Sequence, residues 1–337
     1  MKVLIYTGNI IDVDKSGIGK AASHQKKALD LVNIPYTTNP KDDYDIAHIN
    51  TVFPDAILMA KIAKIRGKKV IFHAHSTEED FKNSFKLSNE IAPAFKQWLK
   101  ICYKQGDLIL TPTLYSKKLI ENYGIKKEII PISNGIDLDF FKQTKDGASK
   151  FRKKYGFSSD DKIVMAVGLY IERKGILEFI ELAKRMPEYK FIWFGYTEPT
   201  LVKSKVKEAM KSKPDNCFFP GYVSSSELKD AYQGSDIFIF PTKEETEGIV
   251  LLEALAMKID IIISDIPIYD DTFTDGYNIY KAKDIVEFEK KIKGIINGNL
   301  PSLVNQGYKE AAKRDIKKVA LKLKKIYEKV FEQDLVK

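Results

Sequence analysis

The sequence has little cysteine. Two residues in 337, Cys102 and Cys217, stand far apart and outside any C-x-x-C spacing, which excludes a disulfide framework and offers no metal-binding pattern. Long apolar runs are missing too: none reaches the roughly 18 to 20 residues that a membrane-spanning helix needs. The opening MKVLIYTGNI breaks off too early for a signal peptide and lacks a cleavage site, so it reads as a first strand. Internal repeats, low-complexity tracts and nucleic-acid-binding motifs are absent. The expected compartment is the cytoplasm, and nucleic acid is not an expected partner.

What is present is a chain long enough for two domains, with 44% hydrophobic residues, ordinary for a globular protein. Its formal net charge is +9, with +6 on residues 1–150 and +3 on residues 151–337. A basic protein without a nucleic-acid motif points to an anionic membrane surface or a phosphate-bearing ligand.

Strand-like and helix-like runs alternate almost throughout, the pattern of βαβ units and parallel sheets. In the first half 2–6, 46–49, 69–72 and 108–110 read as strands, with helices over 19–31, 55–65, 91–103 and 116–123 between them. The charged stretch 142–160 suits a linker with one short helix. A second series starts at 162–168 and continues with strands at 190–194, 217–219, 237–240 and 259–264. The expected fold is therefore α/β, two Rossmann-like doubly wound domains over 1–150 and 160–315, facing a cleft. A basic amphipathic helix closes the chain over 316–337.

The most informative stretch follows the apolar run Asp236-Ile-Phe-Ile-Phe240. A short acidic loop, Pro241 to Glu247, leads through Gly248 into the apolar helix GIVLLEALAM. In open parallel sheets ligands bind beyond the carboxyl ends of the strands, and a helix N-terminus there offers free N–H groups to an anion. Glu245 and Glu253 are separated by seven residues. Glu253 falls within an apolar run, where a carboxylate is costly unless paired or bound. Read plainly, the two are a helix-start acid and a solvated Glu; read as a site, they accept hydrogen bonds from ligand hydroxyls.

With this wording the chain resembles retaining glycosyltransferases of GT-B architecture, whose signature is E-x7-E after a Pro-Ser/Thr turn. The fuller string EETEGIVLLEALA is similar to that of Gram-positive 1,2-diacylglycerol 3-glucosyltransferases, which make membrane glycolipids. Thr246-Glu247-Gly248 stands where many relatives carry Gly-Phe-Gly. The resemblance implies transfer of a hexose from a nucleotide sugar, UDP-glucose, to 1,2-diacylglycerol, with no tightly bound cofactor; Mg²⁺ would at most stimulate. It implies that Glu245 binds sugar hydroxyls, that Glu253 binds the ribose, that Gly248 lies at the donor, and that the last helix packs back on the first domain.

Other sites follow from residues and resemblance together. Arg173 and Lys174 sit where a loop meets a helix. A solvated basic helix start would oppose the helix dipole, whereas cations there can stabilise a departing diphosphate, the role the resemblance implies. Gly17 and Gly19, in Ser16-Gly-Ile-Gly-Lys20, allow close approach of backbone to a ligand. They equally suit a plain loop-to-helix turn; the resemblance puts the donor diphosphate near them. His73-Ala-His75 ends a strand, and alternation lets one histidine face the ligand; a structural histidine is the other reading. The resemblance places a histidine at the sugar and acceptor, and His75, within HSTEEDF, is chosen over His73. Gly195-Tyr196 and Gly221-Tyr222 read as turns, or as the lining of a base pocket. Asn134-Gly135-Ile136-Asp137 reads as a turn beside a hinge.

Residues 81–104 interleave Phe81, Phe85, Phe95, Trp98 and Tyr103 with lysines at 82, 86, 96, 100 and 104. That pattern fits a helix packed on its own domain, or an interfacial helix with its aromatic face on anionic lipid. On the second reading the protein sits peripherally on the inner face of the membrane. Other functions share these motifs: a transferase acting on soluble or polyprenyl-linked glycans, a GT-B sugar-nucleotide epimerase, and a non-catalytic binding module.

Overall fold

The computed structural model describes residues 1–8 and 16–332. Among these the chain divides into two compact units, one drawn from Met1–Phe81, Asn89–Asp137 and Arg314–Lys337, the other from Lys82–Ser88 and Leu138–Lys313. Both are built on a fully parallel six-stranded sheet, so the α/β, doubly wound expectation holds.

In the first unit the strands are β1 (Val3–Tyr6), β2 (Tyr36–Thr37), β3 (Ile46–Ile49), β4 (Lys69–His73), β5 (Leu108–Thr111) and β6 (Ile129–Pro131), in the order β2-β1-β3-β4-β5-β6. Their cores are short runs of consecutively buried Val, Ile, Leu and Phe, as strands covered on both faces require. The helices are α1 (Gly17–Leu31), α2 (Pro54–Ile65), α3 (Glu78–Phe81), α4 (Ser88–Tyr103) and α5 (Leu114–Asn122). Ala56, Met59 and Ala63 of α2 pack with Leu99, Cys102 and Tyr103 of α4 over Ala47, Val70 and Phe72 of the sheet. Register pairs Tyr6 with Ile49 and Ile49 with Phe72, so the carboxyl ends of β1, β3 and β4 lie level.

In the second unit the strands are β7 (Ile163–Val167), β8 (Lys190–Phe194), β9 (Cys217–Gly221), β10 (Ile237–Phe240), β11 (Asp260–Ser264) and β12 (Tyr280–Ala282), in the order β12-β11-β10-β7-β8-β9. The helices are α6 (Gly147–Tyr155), α7 (Ile176–Arg185), α8 (Ser204–Lys211), α9 (Ser225–Gly234), α10 (Ile249–Met257), α11 (Ile285–Ile296) and α12 (Val304–Lys313). The order is that of a Rossmann sheet, and its direction reverses between β7 and β10. In such sheets that switch point is where ligands bind. The short helix expected within the charged stretch is α6; it lies against α9, where a Cβ at Gly234 would stand 2.4 Å from the Phe151 ring.

The last helix, α13 (Ile316–Glu332), belongs to the first unit. Its stripe of Ile316, Val319, Leu323, Ile326 and Tyr327 packs with Val3, Ile5, Ala22 and Leu29 on the α1 side of the sheet. The turn at 134–137 is fitted to it: Gly135 has φ +79°, and a Cβ there would lie 3.1 Å from Ile316 Cδ1. Three edge strands, β2, β6 and β12, were not expected. Two or three residues long, they carry too few positions for an alternation to register.

Candidate active site

The switch point of the second sheet is made of two loops joined to each other. After β7, Glu172–Lys174 forms a single 3-10 turn ended by Gly175 at φ +81°. A Cβ on Gly175 would stand 2.1 Å from the carbonyl oxygen of Pro241, just past β10, so only glycine lets the two backbones meet. The Lys243 amide donates to the Arg173 carbonyl oxygen at 2.8 Å, and the Thr242 hydroxyl reaches the same atom at 3.3 Å.

This joint brings together three of the expected residues. Arg173 is buried; its Nε donates to Ser84 Oγ at 2.9 Å and its Nη1 to the Glu244 carbonyl oxygen at 2.7 Å. The guanidinium lies 3.9 Å from Glu245 Oε1. Lys174 pairs with the same carboxylate oxygen, which also accepts from Thr242 Oγ1 at 3.1 Å. Lys174 Nζ stands 5.6 Å from the centre of the Phe240 ring. Both cations are thus held by a single carboxylate oxygen. Such a cluster adds little to stability, because desolvation offsets the attraction, but it is suited to receiving an anion.

The remaining expected residues of this unit are placed differently. Gly248, at φ +84°, begins α10, and a Cβ there would come 3.0 Å from the Phe240 ring. Having no side chain, it cannot cap the helix through one; its carbonyl oxygen accepts from the Leu251 amide at 2.9 Å. Glu253 is fully buried about one and a half turns along, where Tyr232 donates to its Oε2 at 3.2 Å and to the Val250 carbonyl oxygen at 3.0 Å. Burial first, and Glu253 second, hold the Tyr232 phenol protonated well above its usual range. Glu253 is thus neither solvated nor stranded in the apolar helix.

Several neighbours were not foreseen. Ser84 lies 89 positions from Arg173 in sequence, in a loop where Asn83 and Leu87 adopt left-handed conformations at φ +59° and +60°. Non-glycine residues in that region are strained and tend to mark functional segments. Tyr269 is buried, and its hydroxyl has no partner among the described residues; burial, then the charges of Glu245 and Glu244, raise its pKa well above the usual range. Gly195 meets Gly168: a Cβ on Gly195 would fall 1.9 Å from the Gly168 carbonyl oxygen, so this turn holds β7 and β8 together.

In the first unit, Ser16 caps α1 by accepting from the Gly19 amide at 3.0 Å. That N–H is therefore used within the turn, while Gly17 has open space beside it. Gly8 ends β1 at φ +74°, where a Cβ would lie 2.7 Å from Asp55 Oδ2; its neighbour Asn9 lies outside the described residues. His75 is buried with His73 and His48. His73 and His75 stack with ring centres 4.0 Å apart. His75 Nε2 is 3.0 Å from Asn50 Oδ1, and His73 Nδ1 is 3.0 Å from Gln25 Nε2 and 3.2 Å from His48 Nε2. Burial lowers His48 and His75 to about 3 and His73 well below its usual value, so all three rings are neutral at physiological pH.

Within 81–104 the aromatic residues follow the first of the two readings, a helix packed on its own domain. Phe95 and Trp98 pack against their own sheet, and Trp98 Nε1 donates to the Val52 carbonyl oxygen at 2.5 Å. Lys96 pairs with Glu78 at 3.0 Å. The exposed large apolar side chains within 81–104 are aliphatic, Leu87, Ile91 and Ile101; on α2, Leu58 and Ile65 are exposed as well, Ile65 at 87%. Aromatic rings bury more surface than aliphatic ones, so they claim the inner positions. No helix among the described residues is long and apolar enough to cross a membrane.

Residues 148–315 match the model of glycosyl transferases group 1, and residues 27–140 match that of glycosyltransferase family 4. The chain belongs to this family of glycosyltransferases. It is 42% identical, over 98% of its length and 99% of the relative's, to the processive diacylglycerol alpha-glucosyltransferase of Acholeplasma laidlawii. The alpha-monoglucosyldiacylglycerol synthase of the same organism is 28% identical over 69% of this chain and 62% of its own. Among solved structures, Anabaena HepE in complex with UDP and glucose superposes with a TM-score of 0.78 at 15% identity, over 98% of this chain and all of that one. The fold is therefore GT-B, and the protein is an enzyme.

Proposed function

We propose that the enzyme moves a glucosyl group from UDP-glucose to the hydroxyl of 1,2-diacylglycerol, with retention at the anomeric carbon. The observation that carries this reading is the Arg173–Lys174–Glu245 cluster on joined loops at the switch point of a Rossmann sheet. The identity to a diacylglycerol glucosyltransferase over nearly the whole chain supports the substrates.

In the proposed reaction the bond between the sugar C1 and the β-phosphate oxygen breaks. A bond from C1 to the acceptor oxygen forms, and the hydroxyl proton passes to the departing phosphate. Arg173 and Lys174 stabilise the charge that grows on UDP, and the α10 amides beside Gly248 assist. Glu245 moves from its pairing with Lys174 to sugar hydroxyls, and Glu253 accepts from the ribose. Gly17, Gly19 and His75 are assigned to the first unit's share of substrate binding. The second unit is then the donor side and the first the acceptor side. Outward aliphatic residues of α2 and α4, with Lys61, Lys64 and Lys104, dock the enzyme peripherally on the anionic inner face of the membrane, each cation near the surface contributing about 1 kcal/mol. The two phosphate-facing cations make a tightly held metal unnecessary, and Mg²⁺ acts as a stimulant at most.

The test is transfer of labelled sugar from a panel of UDP- and GDP-sugars, with and without diacylglycerol vesicles, with and without EDTA. Glucosylated diacylglycerol from UDP-glucose is the expected product, and the number of sugars attached reports on processivity. Transfer only to soluble or polyprenyl-linked glycans, or epimer formation without an acceptor, would overturn the reading.

A further inference from the structure

Arg173 is held by acceptors from two separate parts of the chain. Its Nη1 donates to the Glu244 carbonyl oxygen, and the guanidinium lies 3.9 Å from Glu245 Oε1. Both of those acceptors ride on the loop that follows β10. Its Nε donates to Ser84 Oγ at 2.9 Å, and Ser84 is 89 positions away in sequence. Chemistry settles the direction of that bond, since a guanidinium N–H can only donate. Holding Nε fixes the guanidinium plane, and with it the line along which the arginine fork meets an anion.

The segment that delivers Ser84 is unusual. Residues 82–88 belong to the second unit, although the chain before and after them belongs to the first. They form a tight loop between α3 and α4, in which the Ser88 amide donates to the Phe85 carbonyl oxygen at 3.3 Å and the Phe85 amide to Ser88 Oγ at 3.4 Å. The left-handed residues Asn83 and Leu87 bracket this loop. Asparagine tolerates that conformation, whereas leucine adopts it at a cost. Leu87 is 65% exposed and Ser84 only 2%, so the strain is not offset by burial of the leucine. Backbone strain persists where the surroundings over-determine it, and the buried bond from Arg173 to Ser84 is one contact that holds the loop in place.

Two properties set Ser84 apart from the other acceptors of Arg173. It is neutral, so it orients the guanidinium without cancelling its charge, as a carboxylate would. It also stands outside the loop that carries Glu244 and Glu245. In the proposed reaction Glu245 leaves the cations for substrate hydroxyls, and an anchor outside that loop keeps its place during the exchange. Donors fixed in advance count most where charge develops in the transition state.

We propose that Ser84 is a positioning residue: its hydroxyl keeps the Arg173 guanidinium in one plane while Glu245 exchanges Lys174 for substrate. This rests on reading Arg173 as the residue that stabilises the departing diphosphate.

The chain has five arginines, few enough for each side-chain Nε–H to be followed by ¹⁵N–¹H correlation on arginine-labelled protein. The Arg173 Nε–H should exchange slowly with water, and Ser84→Ala should speed that exchange about tenfold, as loss of a buried charge-assisted bond requires. Arg185, whose Nε donates to Glu181 on the surface at 3.1 Å, serves as the reference and should not change. In the transfer assay Ser84→Ala should lower kcat about tenfold and hold KM for UDP-glucose within about twofold, the pattern of an interaction realised in the transition state. Ser84→Thr keeps the hydroxyl and should restore both slow exchange and kcat. Slow exchange retained in Ser84→Ala, or an unchanged kcat, would overturn the proposal whatever Ser84→Thr does. A threonine variant as impaired as the alanine one, with its Nε–H still protected, would assign Ser84 to packing and overturn it as well. Full transfer by Arg173→Ala would instead remove the reading beneath it.

Discussion

The two candidate regions are built by opposite means. At the switch point of the second sheet, Arg173, Lys174 and Glu245 concentrate charge on two loops joined through Gly175 and Pro241. In the first unit, His48, His73 and His75 are buried until neutral and are ordered by Gln25, Asn50 and Tyr327. A diphosphate needs fixed cations whose pairing it can replace. The contrast teaches that one chain can build an ionic cluster and an uncharged one on sheets of the same kind, each with its own sensitivity to pH and salt.

The largest expected effect is Glu245→Gln. It keeps size and shape but removes the carboxylate that holds Lys174 and, in the proposal, the sugar. Transfer should fall by about three orders of magnitude, with circular dichroism and the melting temperature near wild type. Full activity would dissolve the ionic half of the comparison.

Next comes Gly175→Ala. The added Cβ cannot coexist with the Pro241 carbonyl oxygen 2.1 Å away, and φ +81° is strained for alanine besides. A loss of about 3 kcal/mol in denaturant unfolding is expected. An unchanged midpoint would mean that the joint is not what holds the two loops.

Acid should strike the uncharged half. His48 and His75 titrate near 3 when folded and near 6.5 when unfolded, so below about pH 6.5 the unfolded chain takes up protons that the folded one refuses. Their contribution is fully present above that pH and is lost as pH falls toward 3, by about 1.4 kcal/mol per ring per pH unit. The melting temperature should therefore drop steeply between about pH 6 and 4, and a flat profile would show that the rings charge without cost.

The smallest effect belongs to the surface. Ile65→Glu with Ile101→Glu should weaken binding to anionic vesicles about tenfold in flotation and leave UDP affinity unchanged. Equal flotation would place the membrane contact elsewhere.

Much of the ionic half was legible in the sequence. Its residues sit in loops directly after strongly apolar strands, and burying a charge within such a motif demands a partner. Ser84, Tyr269 and the joint between Gly175 and Pro241 were not legible, because they meet through the fold and not through spacing. The histidine chain shows the limit further: His48 and Tyr327 are 279 positions apart, and nothing in IAHI marks its histidine as a link to the last helix. The aromatic residues of α4 left two readings open because periodicity defines a face without saying which way it turns.

The most direct test of the division is isothermal calorimetry of UDP on two variants, Arg173→Ala and His75→Ala. The expected result is affinity lowered about 10- to 100-fold in the first, the loss of a charge-assisted contact to a diphosphate, and affinity unchanged in the second. Undiminished affinity in Arg173→Ala, or an equal loss in both, would contradict the account.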